Sequence, residues 1–419
     1  MSQVKVIKGN LIYAAERDAF TICPDHYLIL RQGRVQAVVD RLPQEYEACP
    51  VEDFGERLII PGLVDLHTHG AQFNQRGLGM DLQLLEWLEQ YTFKEEARFA
   101  DLAYAASIYE AFATELIRQG TTRAVIFGTI HAPSCDILCE VLKRRGIGAY
   151  VGKVNMDANC GAALQEDTQQ SLRETEEFLL RWSGEPLVKP ILTPRFAVTS
   201  TPQLLEGLGK LALRHQVPVQ SHLSENMAEV RLVAELFPAQ GEYHAVYDNY
   251  QLFGQTPTIM AHCIHLTDSA VKRMCESGVV AVHCPDSNLN LASGIMPTRR
   301  LLEAGVTVGL GTDIGAGHTL SMLQTMRSAI QMSKIQSSYD SAQKPLTLPE
   351  VFYLATKGGG RFFGKVGSFE PGYEFDALVI EDTPAERAGK TLLERLQQFI
   401  YTGNPGNIIA RYAAGSPLK

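Results

Sequence analysis

The pattern of hydrophobic and polar positions divides the chain into a central region and two ends. Between residues 58 and 364, short apolar runs alternate with amphipathic helical stretches, which is the pattern of βα units and predicts a parallel sheet. We count eight such runs, which begin at residues 58, 121, 148, 187, 217, 257, 278 and 305. Eight βα units predict an α/β fold of the closed (β/α)8 barrel type. A doubly wound open sheet with the same number of strands is the structural alternative.

The two ends of the chain share a different pattern. Residues 1–57 contain short alternating segments separated by turn residues. A similar pattern returns after residue 365, where a Pro-Gly turn precedes an apolar strand from Asp376 to Ile380. A chain of 419 residues also exceeds the usual limit of a single core. We therefore predict that residues 1–57 and 365–419 combine into one small β-sandwich domain, with the barrel of residues 58–364 inserted between them.

Polar side chains fall late in the predicted strands, where a barrel places its chemistry. His67 and His69 end the first strand, and because side chains alternate along a strand, both point to the same face. On its own, such a pair is as often solvated or hydrogen-bonded as metal-binding. Further polar candidates end or follow other strands: Arg195, His222, Glu225, His262, His265, Asp286 and Asp313. A barrel gathers the ends of the first, fifth and eighth strands around one point more easily than an open sheet does.

A metal site accounts for these residues together. The imidazoles of His67, His69 and His222 with the carboxylate of Asp313 suit zinc, or iron as a second choice, and leave one position for a water whose pKa the metal would lower toward about 7. Glu225 lies three residues after His222, near enough to act as general base and then general acid, and Asp313 can share this work. Taken singly, each residue has an ordinary structural interpretation: His222 as a core histidine, Glu225 as an acid in the first turn of a helix, and Asp313 as a turn residue.

Composition and charge narrow the class of protein. The chain has 45% hydrophobic and 20% charged residues, as ordinary globular proteins do. Its net charge of −9, without a Lys/Arg-rich run, argues against a nucleic-acid partner. The pattern shows neither a signal peptide nor a run of about 18 apolar residues, so we expect a cytoplasmic protein with no membrane span. Eight scattered cysteines without a CxxC pair predict free thiols rather than disulfides or a zinc ribbon.

Motifs along the whole barrel resemble a known family. In chain order they are PGLVDLHTH, QSHLSEN, MAHCIHL, HCPDSNLNLASG and GLGTDIGAG, and they resemble the metal-dependent amidohydrolase superfamily. Within it, the chain resembles the guanine deaminases through His69-x-x-Gln72, the segment LLEWLEQYTFKEE, and the motifs TPRFAV and GSFEPGYEFDALVI. The resemblance implies one zinc ion per chain, with the ligands His67, His69, His222 and Asp313.

The resemblance also implies a reaction and the residues that perform it. Zinc-activated water would attack the amine-bearing carbon of a purine base and convert guanine to xanthine and ammonia. Glu225 would shuttle protons, and His262 would orient the attacking group or stabilise the tetrahedral centre. Gln72 and Arg195 would recognise the purine edge in a dry pocket, with Phe196 beside the ring. A homodimer is the implied assembly.

Several alternatives stay open at this point. The same chemistry could act on another heteroaromatic ring, such as a pterin, an s-triazine or an adenine-type base. A catalytically silent scaffold would lack one or more metal ligands, whereas here all four ligands and Glu225 are present. Lys189, at a strand where some two-metal relatives carry a carboxylated lysine, lies too early in its strand for that role. No role is assigned to His131, His265, His283 and Asp286.

Overall fold

A computed structural model describes residues 4–418 of the chain as an α/β protein. Its strands are β1 (Val4–Glu16), β2 (Ala19–Arg31), β3 (Arg34–Val39), β4 (Val51–Pro61), β5 (Leu63–His69), β6 (Thr121–Phe127), β7 (Gly148–Gly152), β8 (Val154–Asn155), β9 (Val188–Pro190), β10 (Thr193–Pro194), β11 (Val219–Leu223), β12 (Thr258–His262), β13 (Val280–His283), β14 (Val308–Leu310), β15 (Ala377–Ile380), β16 (Ile408–Ala413) and β17 (Ser416–Pro417). Its α-helices are α1 (Leu84–Trp87), α2 (Phe93–Ala97), α3 (Leu102–Arg118), α4 (Ala132–Arg145), α5 (Thr168–Trp182), α6 (Pro202–His215), α7 (Met227–Leu236), α8 (Tyr243–Asn249), α9 (Asp268–Ser277), α10 (Pro285–Asn290), α11 (Thr298–Glu303), α12 (Met322–Tyr339), α13 (Leu348–Tyr353), α14 (Pro384–Arg387) and α15 (Leu392–Thr402).

The predicted barrel is present and closed. Strands β5, β6, β7 and β9 pair in parallel, and so do β11, β12, β13 and β14. A parallel bridge between Leu192 and Val219 joins the two sets on one side. On the other side, the amide of Asp313 donates to the carbonyl of His67 at 2.8 Å, and the amide of His69 donates to that of Ile314 at 2.9 Å. The ring of strands confirms the (β/α)8 fold over the open-sheet alternative.

Apolar side chains fill the barrel below the strand ends. Val64 and Val125, on β5 and β6, belong to one buried cluster with Ile259 and Val282, on β12 and β13. Strands on opposite sides of the ring make such contacts only through its interior. The barrel is therefore a packed core, and its polar residues gather at the carboxyl ends of the strands.

The two chain ends share one seven-stranded sheet, in the order β17-β16-β15-β4-β1-β2-β3. Its side chains alternate between two cores: Ile59 and Val379 pack with the apolar residues of the end sheet, whereas Ile60 and Leu378 pack with the large cluster of the barrel. This two-residue alternation is why these segments form strands between two apolar layers. The division into residues 1–57 with 365–419, and 58–364, stays a proposal.

A buried ion pair joins the barrel to the end sheet. Arg123 on β6 donates to both oxygens of Asp376, at 2.6 and 2.8 Å, and these two residues are 4% and 0% exposed. We expect Asp376→Ala to lower the free energy of unfolding by about 3–5 kcal/mol, because it leaves a buried guanidinium without its main partner. Denaturant titration measures this change.

The matched control is the exposed ion pair between Arg57 and Glu381, in which Nη2 of Arg57 lies 2.6 Å from Oε1 of Glu381. This pair joins β4 to the segment after β15. Glu381→Ala should cost less than about 1 kcal/mol, because water screens this pair. Equal losses from both variants would contradict the importance of burial.

Two further predictions concern the chain as a whole. The eight cysteines all lie among the described residues and form no disulfide, which agrees with the predicted free thiols. Among residues 4–418, no helix combines the length and the apolar character needed to cross a membrane.

Candidate active site

The four predicted metal ligands meet at the carboxyl end of the barrel. His67 and His69 end β5, His222 lies on β11, and Asp313 follows β14. Their possible ligand atoms all lie within 4.8 Å of one another. Nε2 of His67 and of His69 lie 3.1 and 3.3 Å from Oδ1 of Asp313, and Nε2 of His222 lies 3.2 Å from Nε2 of His69. Three strands that are distant in sequence thus place one nitrogen and oxygen donor set around a single point.

The donor atoms fit a metal ion. Both ring nitrogens of His67 and Nδ1 of His69 are buried and have no hydrogen-bond partner among the described residues. Burial lowers the pKa of His69 to about 4 and holds the pKa of His222 far below its usual value, so both imidazoles are neutral, as metal ligands must be. Three imidazoles and a carboxylate form a set that zinc accepts.

Hydrogen bonds around the ligands set their orientation. Nδ1 of His222 faces the carbonyl oxygen of Arg195 at 2.6 Å, which leaves Nε2 pointing to the cluster. The buried carboxylate of Asp65 accepts from the amides of His67 and Thr312, at 3.2 and 3.0 Å, and also from the Thr312 hydroxyl. Asp65 therefore ties β5 to the segment that follows β14 and keeps His67 beside Asp313.

The backbone turns sharply where the polar residues leave their strands. Ser224, His262 and Asp313 have φ angles of 50°, 71° and 49°, in the left-handed region that non-glycine residues rarely adopt. Such conformations cost about 1–3 kcal/mol each and persist where the surrounding structure requires them. At these positions they turn the chain so that the side chains of His262 and Asp313 face the cluster.

Glu225 and His262 lie beside the metal ligands without belonging to the set. Oε2 of Glu225 lies 3.4 Å from Nε2 of His262, and that nitrogen lies 3.7 Å from Oδ2 of Asp313. Burial, together with the nearby charge of Asp313, raises the pKa of Glu225 well above its usual value. A raised pKa makes the carboxylate a stronger base, so that it can accept a proton and later donate it during a reaction.

Helix α7 holds Glu225 in place through its capping residues. Asn226 caps the helix, and the carboxylate of Glu229 accepts from the amides of Glu225 and Asn226 at 2.9 and 3.2 Å. On the other side, the Ser293 hydroxyl donates to Oε1 of Glu225 at 3.3 Å. The side chain thus projects into the pocket instead of serving as a first-turn helix acid.

A pocket opens beside the cluster. It contains the predicted substrate-binding residues Gln72, Arg195 and Phe196, together with Glu225, His262 and Asp313. Arg195 is 2% exposed and Gln72 is also 2% exposed, so both polar side chains lie in a dry environment. Apolar walls from Leu84, Trp87, Leu88 and Leu291 complete a space suited to a flat ring with a polar edge.

Sequence reasoning missed several residues that support the site. Glu96 accepts from both Gln72 and Arg195, and Oδ1 of Asn288 faces Nδ1 of His262 at 2.9 Å. Leu84, Trp87 and Leu88 belong to the segment LLEWLEQYTFKEE, in which the sequence pattern predicts no pocket residue. The available signal was helical spacing, because buried positions 84, 87, 88, 92, 95 and 96 share one face, and a glutamate on an apolar face is unusual.

The remaining candidates lie outside the pocket lining. Lys189 is exposed on β9, as its early position in the strand predicts. His265 places Nε2 2.9 Å from the carbonyl of Ser293, so it supports the loop that contacts Glu225. Asp286 accepts from the hydroxyl of Ser328 at 2.7 Å. His131 and His283 each keep one buried ring nitrogen without a partner among residues 4–418.

Comparisons with known proteins agree with this geometry. Residues 58–418 match the model of the Amidohydrolase family. The guanine deaminase of Dictyostelium discoideum is 36% identical over 446 aligned residues, which cover 99% of this chain and 98% of that protein. The crystal structure of the guanine deaminase from C. acetobutylicum, with guanine bound in the active site, is 46% identical and covers 100% of both chains with a TM-score of 0.98. An adenosine deaminase from Xanthomonas campestris with bound zinc is 28% identical and covers 98% of this chain and 92% of its own, with a TM-score of 0.85.

Proposed function

We propose a function from the premise that this chain belongs to the amidohydrolase family, whose model matches residues 58–418. The chain catalyses the hydrolytic deamination of guanine to xanthine and ammonia. One observation carries this proposal: the His/His/His/Asp ligand set borders a pocket that also contains the polar pair of Gln72 and Arg195. The full-length similarity to a guanine deaminase with guanine bound in its active site supports it.

The chain's own side chains can bind and orient guanine. The ring is planar, and its carbonyl and adjacent nitrogens form one polar edge. Arg195 directs guanidinium N–H groups to the carbonyl oxygen, and the amide of Gln72 pairs with neighbouring nitrogens. Phe196, 4% exposed, packs beside the ring. This edge recognition places the amine-bearing carbon toward Glu225 and His262.

Proton transfer follows from the positions of Glu225, His262 and Asp313. A zinc ion held by the four ligands would supply an activated water at neutral pH. Glu225 takes one proton from the attacking water and passes it to the ring nitrogen. The second proton of that water passes from the added hydroxyl group to the departing amine, so that ammonia leaves and a carbonyl remains. Asp313 shares in this transfer. The imidazole of His262, fixed by Asn288, stabilises the oxygen that has added to the ring carbon.

Ammonia release from a panel of purines, pterins and s-triazines, combined with metal analysis, tests the proposal. We expect kcat/KM to be highest for guanine. A higher kcat/KM for a pterin or an s-triazine would show that the chain is a deaminase with a different substrate. A higher value for adenine would do the same and would point to the activity class of the zinc-bound adenosine deaminase. The absence of turnover with every ring would contradict the proposal.

The identity of the metal ion, the cellular location and the homodimer are also proposals. Zinc is the proposed ion, with iron as the second choice, because imidazole ligands dominate the set. The free cysteines support a reducing, cytoplasmic location. The homodimer rests on the resemblance to amidohydrolases, which are commonly dimers, and light scattering of the purified protein tests it.

Arg195→Ala tests substrate recognition separately from metal binding. We expect kcat/KM for guanine to fall about 100-fold, because a charge-assisted hydrogen bond to the carbonyl is lost, while the metal content stays unchanged. The matched control is Arg98→Ala, since Arg98 is an exposed arginine that pairs with Glu95 at 2.8 Å. Its kinetics should stay within about twofold of the parent enzyme. Loss of metal from the Arg195→Ala protein would show instead that Arg195 has a structural role.

A further inference from the structure

One buried carboxylate contacts two residues of the pocket wall and has no part in the reaction described above. Glu96, on α2, is 1% exposed and uses its two oxygens separately. Oε1 accepts from Nε2 of Gln72 at 2.8 Å, and Oε2 accepts from Nη1 of Arg195 at 2.5 Å. We infer that Glu96 is a positioning residue that orients Gln72 and Arg195 as one unit for recognition of the purine edge. This inference rests on the proposed function.

The first consequence concerns the direction of the Gln72 amide. Its Nε2 donates to Glu96, while its Oε1 accepts from the amide of Gly315 at 2.9 Å. A flipped amide would place its oxygen against the carboxylate and its NH₂ group against an N–H donor, so only one orientation is favourable. One N–H and one acceptor lone pair then remain for a ligand. Because Gly315 lies two residues after Asp313, the amide is also aligned with the strand end that provides a metal ligand.

The second consequence concerns the plane of the Arg195 guanidinium. The guanidinium has five N–H donors in a rigid planar fork, so a bond at one nitrogen limits the directions of the others. Within residues 4–418, Glu96 provides the hydrogen-bond acceptor and ion-pair partner of this side chain. The remaining donors are left for the ligand. Glu96 also compensates the charge of a guanidinium that is nearly excluded from water.

The neighbouring residue provides a matched control. Glu95 lies on the same helix α2, but its carboxylate contacts other side chains. It pairs with Arg98 at 2.8 Å and accepts a hydrogen bond from the hydroxyl of Tyr104. Glu95 and Glu96 therefore lie on the same helix and each pairs with an arginine, but Glu95 pairs with the exposed Arg98 and Glu96 with the buried Arg195.

Steady-state kinetics and metal analysis of Glu96→Gln and Glu95→Gln test the inference. We expect Glu96→Gln to lower kcat/KM for guanine by about 10- to 100-fold, mainly through a higher KM, because a charge-assisted bond to Arg195 is lost. Its metal content should match that of the parent enzyme. Glu95→Gln should stay within about twofold.

A double variant separates positioning from a general structural role. If Glu96 acts through Arg195, then adding Glu96→Gln to Arg195→Gln should lower kcat/KM by no more than about threefold further. The same double change removes both buried charges, so its melting temperature should recover relative to Glu96→Gln alone. An equal additional loss in the Arg195→Gln background would overturn the inference.

The outcomes distinguish this inference from the proposed function. A parent enzyme without guanine turnover contradicts the function itself. An active parent with a Glu96→Gln variant that matches Glu95→Gln overturns only the role of Glu96. Should Glu96→Gln fail to fold, Glu96→Asp keeps the charge and shortens its reach. That variant should bind metal normally and still lose about tenfold in kcat/KM, and unchanged kinetics would overturn the inference.

Discussion

Glu225→Gln is expected to lower kcat for guanine by about 10²- to 10⁴-fold, which is the usual contribution of a general acid–base residue. Glu225 is buried beside His262, at 3.4 Å, and lies outside the His/His/His/Asp ligand set. The glutamine keeps the shape and can still accept the hydrogen bond from Ser293, but it cannot take up and release a proton. Metal content should therefore remain unchanged, as measured by elemental analysis alongside ammonia release.

The control for this variant is Glu235→Gln, an exposed position on the same helix α7. Its turnover should equal that of the parent enzyme. Normal activity in the Glu225→Gln protein would remove Glu225 from the mechanism. Combined loss of metal and activity would place it among the groups that maintain the ligand set instead.

The barrel and the ligand set could be predicted because their signals are local. A strand buried on both faces appears as an apolar run of a few residues, and eight such runs correspond to the eight strands of the ring. His67 and His69 show their shared direction through the two-residue period of a strand. The barrel rule then places the end of each strand at one face, so that His222 and Asp313 join them without any knowledge of the intervening helices.

Glu96 and Asn288 could not be assigned in the same way. Their partners lie 24 and 26 residues away in the chain, on elements whose relative placement depends on helix packing. The segment from Leu84 to Ala100 also changes helix type, with a π-helical turn at Leu88–Thr92 and a 3₁₀ turn at Arg98–Ala100. Such a change shifts the register of the buried face. Sequence periodicity shows that the segment has a buried helical face. It does not show which of Glu95 and Glu96 contacts the pocket residues Gln72 and Arg195.

The residues with left-handed backbone conformation could not be predicted from the sequence either. Non-glycine residues rarely adopt positive φ, and nothing in the letters Ser224, His262 or Asp313 indicates it. Sequence reasoning named His262 and Asp313 as strand-end candidates but could not show how the backbone presents them.

Removal of the metal is expected to have a comparably large effect. Treatment with a strong chelator should lower guanine turnover by about 10³-fold or more, because several kcal/mol of transition-state stabilisation are lost with the ion. The melting temperature should fall as well, since a ligand that binds only the folded state stabilises it. Ammonia release and thermal unfolding of the same sample measure both effects.

Restoration identifies the ion and its ligands. One equivalent of Zn²⁺ per chain should restore turnover and melting temperature together, and better restoration by Fe²⁺ under anaerobic conditions would replace zinc by iron. The matched control is Asp313→Ala, which removes one of the four clustered ligands and should not regain turnover with either ion. A metal-free protein that keeps full turnover would contradict the metal site. In that case, the convergence of His67, His69 and His222 within 4.8 Å of Asp313 would need a purely structural explanation. The buried ring nitrogens of His67 and His69 that have no partner among residues 4–418 argue against one.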